Sequence, residues 1–211
     1  MQVNREKYRL YAVTDRRWAK DREDFFRQIE AVIDGGAGVV QFREKDLTPV
    51  QFLEDARRFA DLCRSKGVLG MINDDPDTAL AVQADGVHIG QSDMEACRAR
   101  DLLGSGRIVG VSVHTVEQAL RAQAAGADYL GVGAVFPTGT KDDAELVSRE
   151  TIRAITDAVE LPVVAIGGVG RENIRELKGL GLAGVAVVSA LFAQKDPKAA
   201  AEGLLALAKE L

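Results

Sequence analysis

Cysteine and histidine are scarce in this chain, with two of each among 211 residues. Cys63 and Cys97 fall in helix-like segments without metal-ligand spacing, so reduced thiols are expected rather than a bridge, and with them a cytoplasmic location. Neither histidine has the partner at i, i+4 or a similar offset that a zinc site requires. No apolar run approaches the ~18 residues of a membrane span, and the opening MQVNREKYRL lacks a signal-peptide core. An excess of cations is missing too. Lysine and arginine total 27 against 32 aspartates and glutamates, a net charge of −5, which argues against a nucleic-acid surface and requires any anion site to be a local basic pocket. Linkers and low-complexity tracts are also absent.

What remains is regular. With 46% hydrophobic side chains the chain has material for one sizeable core. Eight short apolar runs alternate with amphipathic segments: RLYAVTD from Arg9, GVVQFRE from Gly38, VLGMIN from Val68, GVHIG from Gly86, RIVGVSV from Arg107, YLGVGAV from Tyr129, PVVAIGG from Pro162 and GVAVVSA from Gly184. Each is followed by a helical pattern. In TPVQFLEDARRFADLCRSKG, Thr48-Pro49 starts a helix, Gly67 stops it, and Val50, Leu53, Phe59 and Leu62 supply an apolar face. The segments DGGAGVVQF, VQADGVHIG, AAGADYLGVG and LGLAGVAVV echo one another before every second run. Near-continuous apolar strands joined by helices must be covered on both faces, and a quasi-repeat at every second unit suits closure. The expectation is α/β, a single (β/α)8 TIM barrel over residues 1–211; a doubly wound open sheet is the rival, but no run is polar enough for an edge strand.

In such a barrel, chemistry gathers on the loops after the strands. The unusual polar residues do fall there. Gln41, Arg43 and Lys45 share one face of an extended chain, with Phe42 and Glu44 on the other. An amide and two cations at one mouth suit a polyanion, more so if Lys141 joins them; an ion pair with a neighbouring carboxylate is the plainer reading of either cation alone. Asp74 and Asp93 end adjacent runs, and oxygen-only carboxylates beside an anion pocket fit Mg²⁺, whereas capping of the following helices is their plainer role, with Asp75 and Asp77 competing for the first cap. AIGGVG and VVSA, after the seventh and eighth runs, set backbone donors where barrels often hold a phosphate. His88 reads as a satisfied core histidine. Together these features imply two phosphorylated ligands or one ligand with two anionic ends, one of them a diphosphate stabilised as it departs.

The motifs QFREK, INDD, ADGVHIGQSD, GVSVHT, DYLGVGAVFPTGTKDDA, AIGGV and VVSA, in this order and across nearly the whole chain, closely resemble the thiamine phosphate synthase family. The resemblance implies a transferase that condenses 4-amino-2-methyl-5-hydroxymethylpyrimidine diphosphate with thiazole phosphate, or with its carboxylated tautomer and loss of CO₂, by dissociation to a pyrimidine methylene cation. It implies that Gln41, Phe42, Arg43, Glu44 and Lys45, with Asn73, Ser112 and Lys141, form the pyrimidine diphosphate side, Glu44 as a structural pair. Lys141, Arg43, Lys45 and Ser112 would act on the reacting groups. Thr138, Gly139, Thr140, Gly168, Val188 and Ser189 would meet the thiazole phosphate, and Asp74 and Asp93 would bind one Mg²⁺. The partners are these small molecules, with no nucleic acid and no membrane, and a homo-oligomer is open. After TKDDA many members carry Gly-Pro-Pro where this chain has ELVSRE. The alternatives are a thiazole tautomerase of the same pathway, which uses a histidine near His114, and a non-catalytic barrel that binds a phosphorylated ligand.

Overall fold

The computed structural model describes residues 4–90, 96–139 and 146–211. Each of the eight apolar runs becomes a parallel strand: β1 (Leu10–Val13), β2 (Val39–Phe42), β3 (Leu69–Asn73), β4 (Gly86–Ile89), β5 (Ile108–Val113), β6 (Tyr129–Val132), β7 (Val163–Ile166) and β8 (Gly184–Val187). They pair in chain order, and β8 returns to β1 to close a barrel. Closure leaves no edge, which excludes the open-sheet alternative. The helices among the described residues are α1 (Arg22–Asp34), α2 (Pro49–Lys66), α3 (Pro76–Ala81), α4 (Ala96–Leu103), α5 (Val116–Ala124), α6 (Arg149–Ala158), α7 (Ser189–Phe192) and α8 (Pro197–Ala208).

Side chains alternate between two cores. Tyr11, Val13, Val39, Met71, Ile108, Tyr129, Val164 and Ala186 pack together inside the barrel. Leu10, Ala12, Val40, Phe42, Ile72, Val87, Val111 and Leu130 face outward and join the helices in a second core. A strand buried on both faces has no solvated side, which is why the runs read as continuously apolar.

Local chemistry sets the helix ends. Thr48 caps α2 in a capping box with Gln51, Pro49 opens the first turn, and Gly67 ends it with φ +68°. The apolar face of α2 is only partly the expected one, since Phe59 is buried and Leu62 packs against the core but the first turns face outward. Ala56, Phe59, Ala60 and Cys63 are buried, whereas Val50 is 69% and Leu53 38% exposed. At about 100° per residue, Val50 lies roughly 120° round the helix from Ala56, beyond the stripe that meets the barrel. After β7 the expected helix is only a 3-10 turn, Ile174–Leu177. Gly179 and Gly181, both at positive φ, follow it and end the segment.

The internal echo has a conformational basis. Gly36, Gly126 and Gly181 take positive φ three residues before β2, β6 and β8, and Gln83 takes φ +56° at the matching place before β4. Each turns the chain from a helix end into the barrel floor. No helix among the described residues is long and apolar enough to cross a membrane. Cys63 is buried and Cys97 exposed.

Candidate active site

The mouth is built outward from β2. Gln41 faces inward and is buried, and beyond Phe42 the chain leaves the strand with Arg43 half-buried and Lys45 exposed. The intervening Glu44 is taken out of the site. Its carboxylate accepts from Thr14 Oγ1 at 3.0 Å and from Arg16 Nε at 2.8 Å, and Thr14 Oγ1 in turn accepts from the Arg43 backbone N–H at 3.0 Å. Arg16 also bonds Asp55, a buried residue of α2 that accepts from Arg22 Nε at 2.5 Å. The Arg16 guanidinium lies 4.5 Å from the centre of the Phe25 ring. Burial pushes the Glu44 carboxyl up, against the bonds from Arg16 and Thr14 that pull it down.

Glu44 is thus the structural pair expected of it, and Phe42 turns outward into the second core against Phe25, Phe52 and Phe59, with ring centres 6.3, 5.3 and 5.4 Å away. The Phe42 side chain therefore stands on the helix side of the sheet, away from the mouth. Among the described residues, neither Arg43 nor Lys45 forms an ion pair within 4.0 Å. The plainer reading of these cations fails there. Arg43 still acts at a distance: burial would raise the pKa of nearby Asp15, but hydrogen bonds from Arg17 and the charges of Arg17 and Arg43 hold it below the usual range.

At the end of β3, Asn73 Nδ2 donates to Asp74 Oδ2 at 2.5 Å. Asp74 is exposed and adopts φ +61°, a left-handed conformation that aspartate tolerates better than most side chains. Asp75 supplies the cap of α3, accepting from Thr78 N at 2.8 Å and Thr78 Oγ1 at 2.7 Å. The capping role thus belongs to Asp75. Asp93, with Gln91, Thr140 and Lys141, lies outside the described residues.

His88 on β4 and Ser112 on β5 complete this side. His88 Nε2 and Ser112 Oγ are 2.9 Å apart, and His88 Nδ1 meets the Tyr129 hydroxyl at 2.8 Å. That hydroxyl is 2.8 Å from the Tyr11 hydroxyl, to which Gln41 Nε2 donates at 2.7 Å. One hydrogen-bonded chain therefore crosses the barrel from Gln41 to Ser112. Burial lowers the His88 pKa to about 4, so the ring is neutral at pH 7. His114, after β5, is half-buried, with its backbone N–H on Gln118 Oε1 at 2.7 Å.

The opposite rim comes from β6, β7 and β8. Val135 N donates to Ile166 O and Phe136 N to Gly167 O, each at 3.0 Å, which seats the loop after β6 on the loop after β7. Gly167 and Gly168 take φ +94° and +68°. A Cβ on Gly168 would stand 2.5 Å from Pro137 O and 2.7 Å from Phe136 O. Glycine is required there first by the neighbouring loop. Asn173 braces the turn, donating to Gly168 O and accepting from Gly170 N, both at 2.9 Å. Thr138 and Val188 are half-buried on this rim, and Gly139 and Ser189 exposed.

Two groups were absent from the sequence reading. Tyr11 and Tyr129 join Gln41 to Ser112, and Arg16 with Asp55 holds Glu44 away from the cations. The tyrosines carried a signal, since a phenol on the inward face of a barrel strand needs a partner for its hydroxyl.

The fold and the sequence have known counterparts. The family model described as thiamine monophosphate synthase matches residues 10–191. The thiamine-phosphate synthase of Clostridium acetobutylicum is 43% identical over 203 residues, covering 96% of each chain. That of Methanobrevibacter smithii is 46% identical over 196 residues, covering 93% of each. The solved thiamine phosphate pyrophosphorylase of Pyrococcus furiosus superposes with a TM-score of 0.88 at 38% identity, covering 98% of each chain.

Proposed function

The chain belongs to the thiamine monophosphate synthase family, and from that premise we propose how its residues carry out the synthesis. It acts as a thiamine-phosphate synthase, a transferase. Residues 1–211 serve as one cytoplasmic catalytic domain that joins the hydroxymethylpyrimidine diphosphate to thiazole phosphate, or to its carboxylated tautomer with loss of CO₂. The carbon–oxygen bond between the pyrimidine methylene and the diphosphate breaks, and its electron pair leaves with the diphosphate. The thiazole nitrogen then gives its lone pair to the methylene cation.

The observation that carries the reading is the state of Arg43 and Lys45: two cations at the mouth without a carboxylate partner among the described residues, while Glu44 is held by Arg16. Fixed positive charge gains value as negative charge moves onto the leaving oxygens. Gln41, Asn73 and Ser112 bind on the same side, and Lys141 joins from the loop after β6. Thr138, Gly139, Thr140, Gly168, Val188 and Ser189 receive the thiazole phosphate on the opposite rim, at a turn where glycine allows close backbone approach.

Magnesium fits the donors of this mouth. Asp74 presents a carboxylate at a strand end, its capping duty taken by Asp75, and a hard oxygen donor beside a diphosphate pocket is the chemistry Mg²⁺ selects. Asp74 and Asp93 would hold one ion, which when bound supplies charge neutralisation to the diphosphate.

Diphosphate release decides the matter. With both substrates and magnesium the purified protein should release diphosphate and form thiamine phosphate, and chelator should stop it. Lys141→Ala should lower kcat by on the order of 10²-fold, the loss typical of one charge-stabilising donor, with a smaller change in KM. No diphosphate release with both substrates and magnesium present would refute the proposal.

A further inference from the structure

The hydrogen-bonded chain inside the barrel has a direction, and we propose that this direction presets two groups of the mouth before any ligand arrives: Gln41 as an acceptor on β2 and Ser112 as a donor on β5. Tyr11, Tyr129 and His88 are the positioning residues between them. The inference deepens the reading of this side as the pyrimidine diphosphate site and rests on it.

Each hydroxyl in the chain has one proton to give, and that fixes the order. Gln41 Nε2 can only donate, and it donates to the Tyr11 oxygen at 2.7 Å. Tyr11 then gives its own proton to Tyr129, 2.8 Å away, and Tyr129 gives its proton to His88 Nδ1, also at 2.8 Å. A neutral imidazole carries one N–H. With Nδ1 accepting, the proton sits on Nε2 and is donated to Ser112 Oγ at 2.9 Å. Ser112 therefore accepts from the ring, and its own proton is directed to a further acceptor instead of back to His88. At the other end, committing the amide nitrogen to Tyr11 turns the Gln41 carbonyl oxygen to the opposite side. The reverse order would make Tyr11 accept from both neighbours and leave its own buried proton without an acceptor that the chain supplies.

The barrel is shaped around this chain. Gln41, Tyr11, Tyr129 and His88 are all buried. A Cβ on Gly110 would lie 2.1 Å from Tyr129 Cζ and 2.3 Å from its hydroxyl, and one on Gly131 would lie 3.3 Å from His88 Cε1. Two inward strand positions are thus left without side chains, making room for the polar rings. Both ends of the chain are groups of the mouth, three strands apart. A donor already aimed when the diphosphate departs does not have to reorient as charge develops, which is the condition for strong transition-state stabilisation.

The test reads the proton directly. Nitrogen-15 NMR of the resting protein distinguishes the two imidazole tautomers, and a His114→Gln variant assigns the second histidine. The expected result is His88 wholly in the Nε2–H form. Tyr129→Phe removes the donor to Nδ1, so the Nε2–H form should lose its dominance, and kcat should fall about tenfold, the order of one hydrogen bond, with KM for thiazole phosphate unchanged. Tyr11→Phe, one bond further back, should show the same pattern more weakly and stands in if Tyr129→Phe does not fold. A resting His88 in the Nδ1–H form would overturn the direction. A Tyr129→Phe or Tyr11→Phe protein with unaltered tautomer and kcat within twofold of wild type would overturn the positioning role. Wild-type turnover in Ser112→Ala would overturn the reading of the mouth itself, whatever the tautomer.

Discussion

Acid should destabilise this protein through His88 in a way that can be separated from its carboxylates. The ring is enclosed by β4, β5 and β6, and burial holds its pKa at about 4 against 6.5 in an unfolded chain. A depressed folded pKa means that the unfolded state binds the proton first as pH falls. The stabilisation is therefore complete above pH 6.5 and is lost as the pH drops toward 4. Each pH unit in that window costs about 1.4 kcal/mol per proton, so at pH 5 the loss is about 2 kcal/mol, and the full gap of 2.5 units corresponds to about 3 kcal/mol. His88→Asn does not titrate there. Urea unfolding of both proteins at pH 7.5 and pH 5.0 gives two stability differences, and subtraction removes the acidic groups they share. Wild type should exceed the variant at pH 7.5, and that margin should narrow by about 2 kcal/mol at pH 5.0. A margin constant to within about 0.5 kcal/mol would refute the burial argument.

Three further outcomes are expected. Gly168→Ala forces a Cβ into Phe136 and Pro137 at φ +68°, so it should destabilise by about 2 kcal/mol and raise KM for thiazole phosphate by displacing the neighbouring loop; an unchanged melting temperature would contradict this. Asp55→Ala leaves Arg16 and Arg22 without the buried carboxylate that joins them, at a cost of about 3 kcal/mol in chemical denaturation, and frees Arg16 to release Glu44, which should weaken pyrimidine diphosphate binding as well. Gln83→Gly relieves a left-handed glutamine and should raise stability by about 0.5 kcal/mol, measured as a higher unfolding midpoint.

Much of the barrel was determined by the sequence itself. Strands buried on both faces leave an unbroken apolar signature, and the period of two carries Gln41, Asn73 and Ser112 to inward positions at strand ends by local geometry alone. The cap of α2 at Thr48 and its stop at Gly67 are local in the same sense. Which of two adjacent aspartates caps α3 was not legible, because Asp74 and Asp75 offer the same chemistry and only the backbone turn at φ +61° separates them. Nor was the exposure of Val50 and Leu53, since hydrophobicity marks a candidate face but the angle at which a helix docks selects the stripe that is covered. Only the tertiary structure decided that Glu44 belongs to Arg16, that Gly168 serves the loop after β6, and that Gln41 and Ser112 share one hydrogen-bonded chain. Its links join residues 118 and 41 positions apart. Such contacts have no local spacing to be read, because they exist only once β8 has closed on β1 and the inward faces of distant strands confront one another across the barrel.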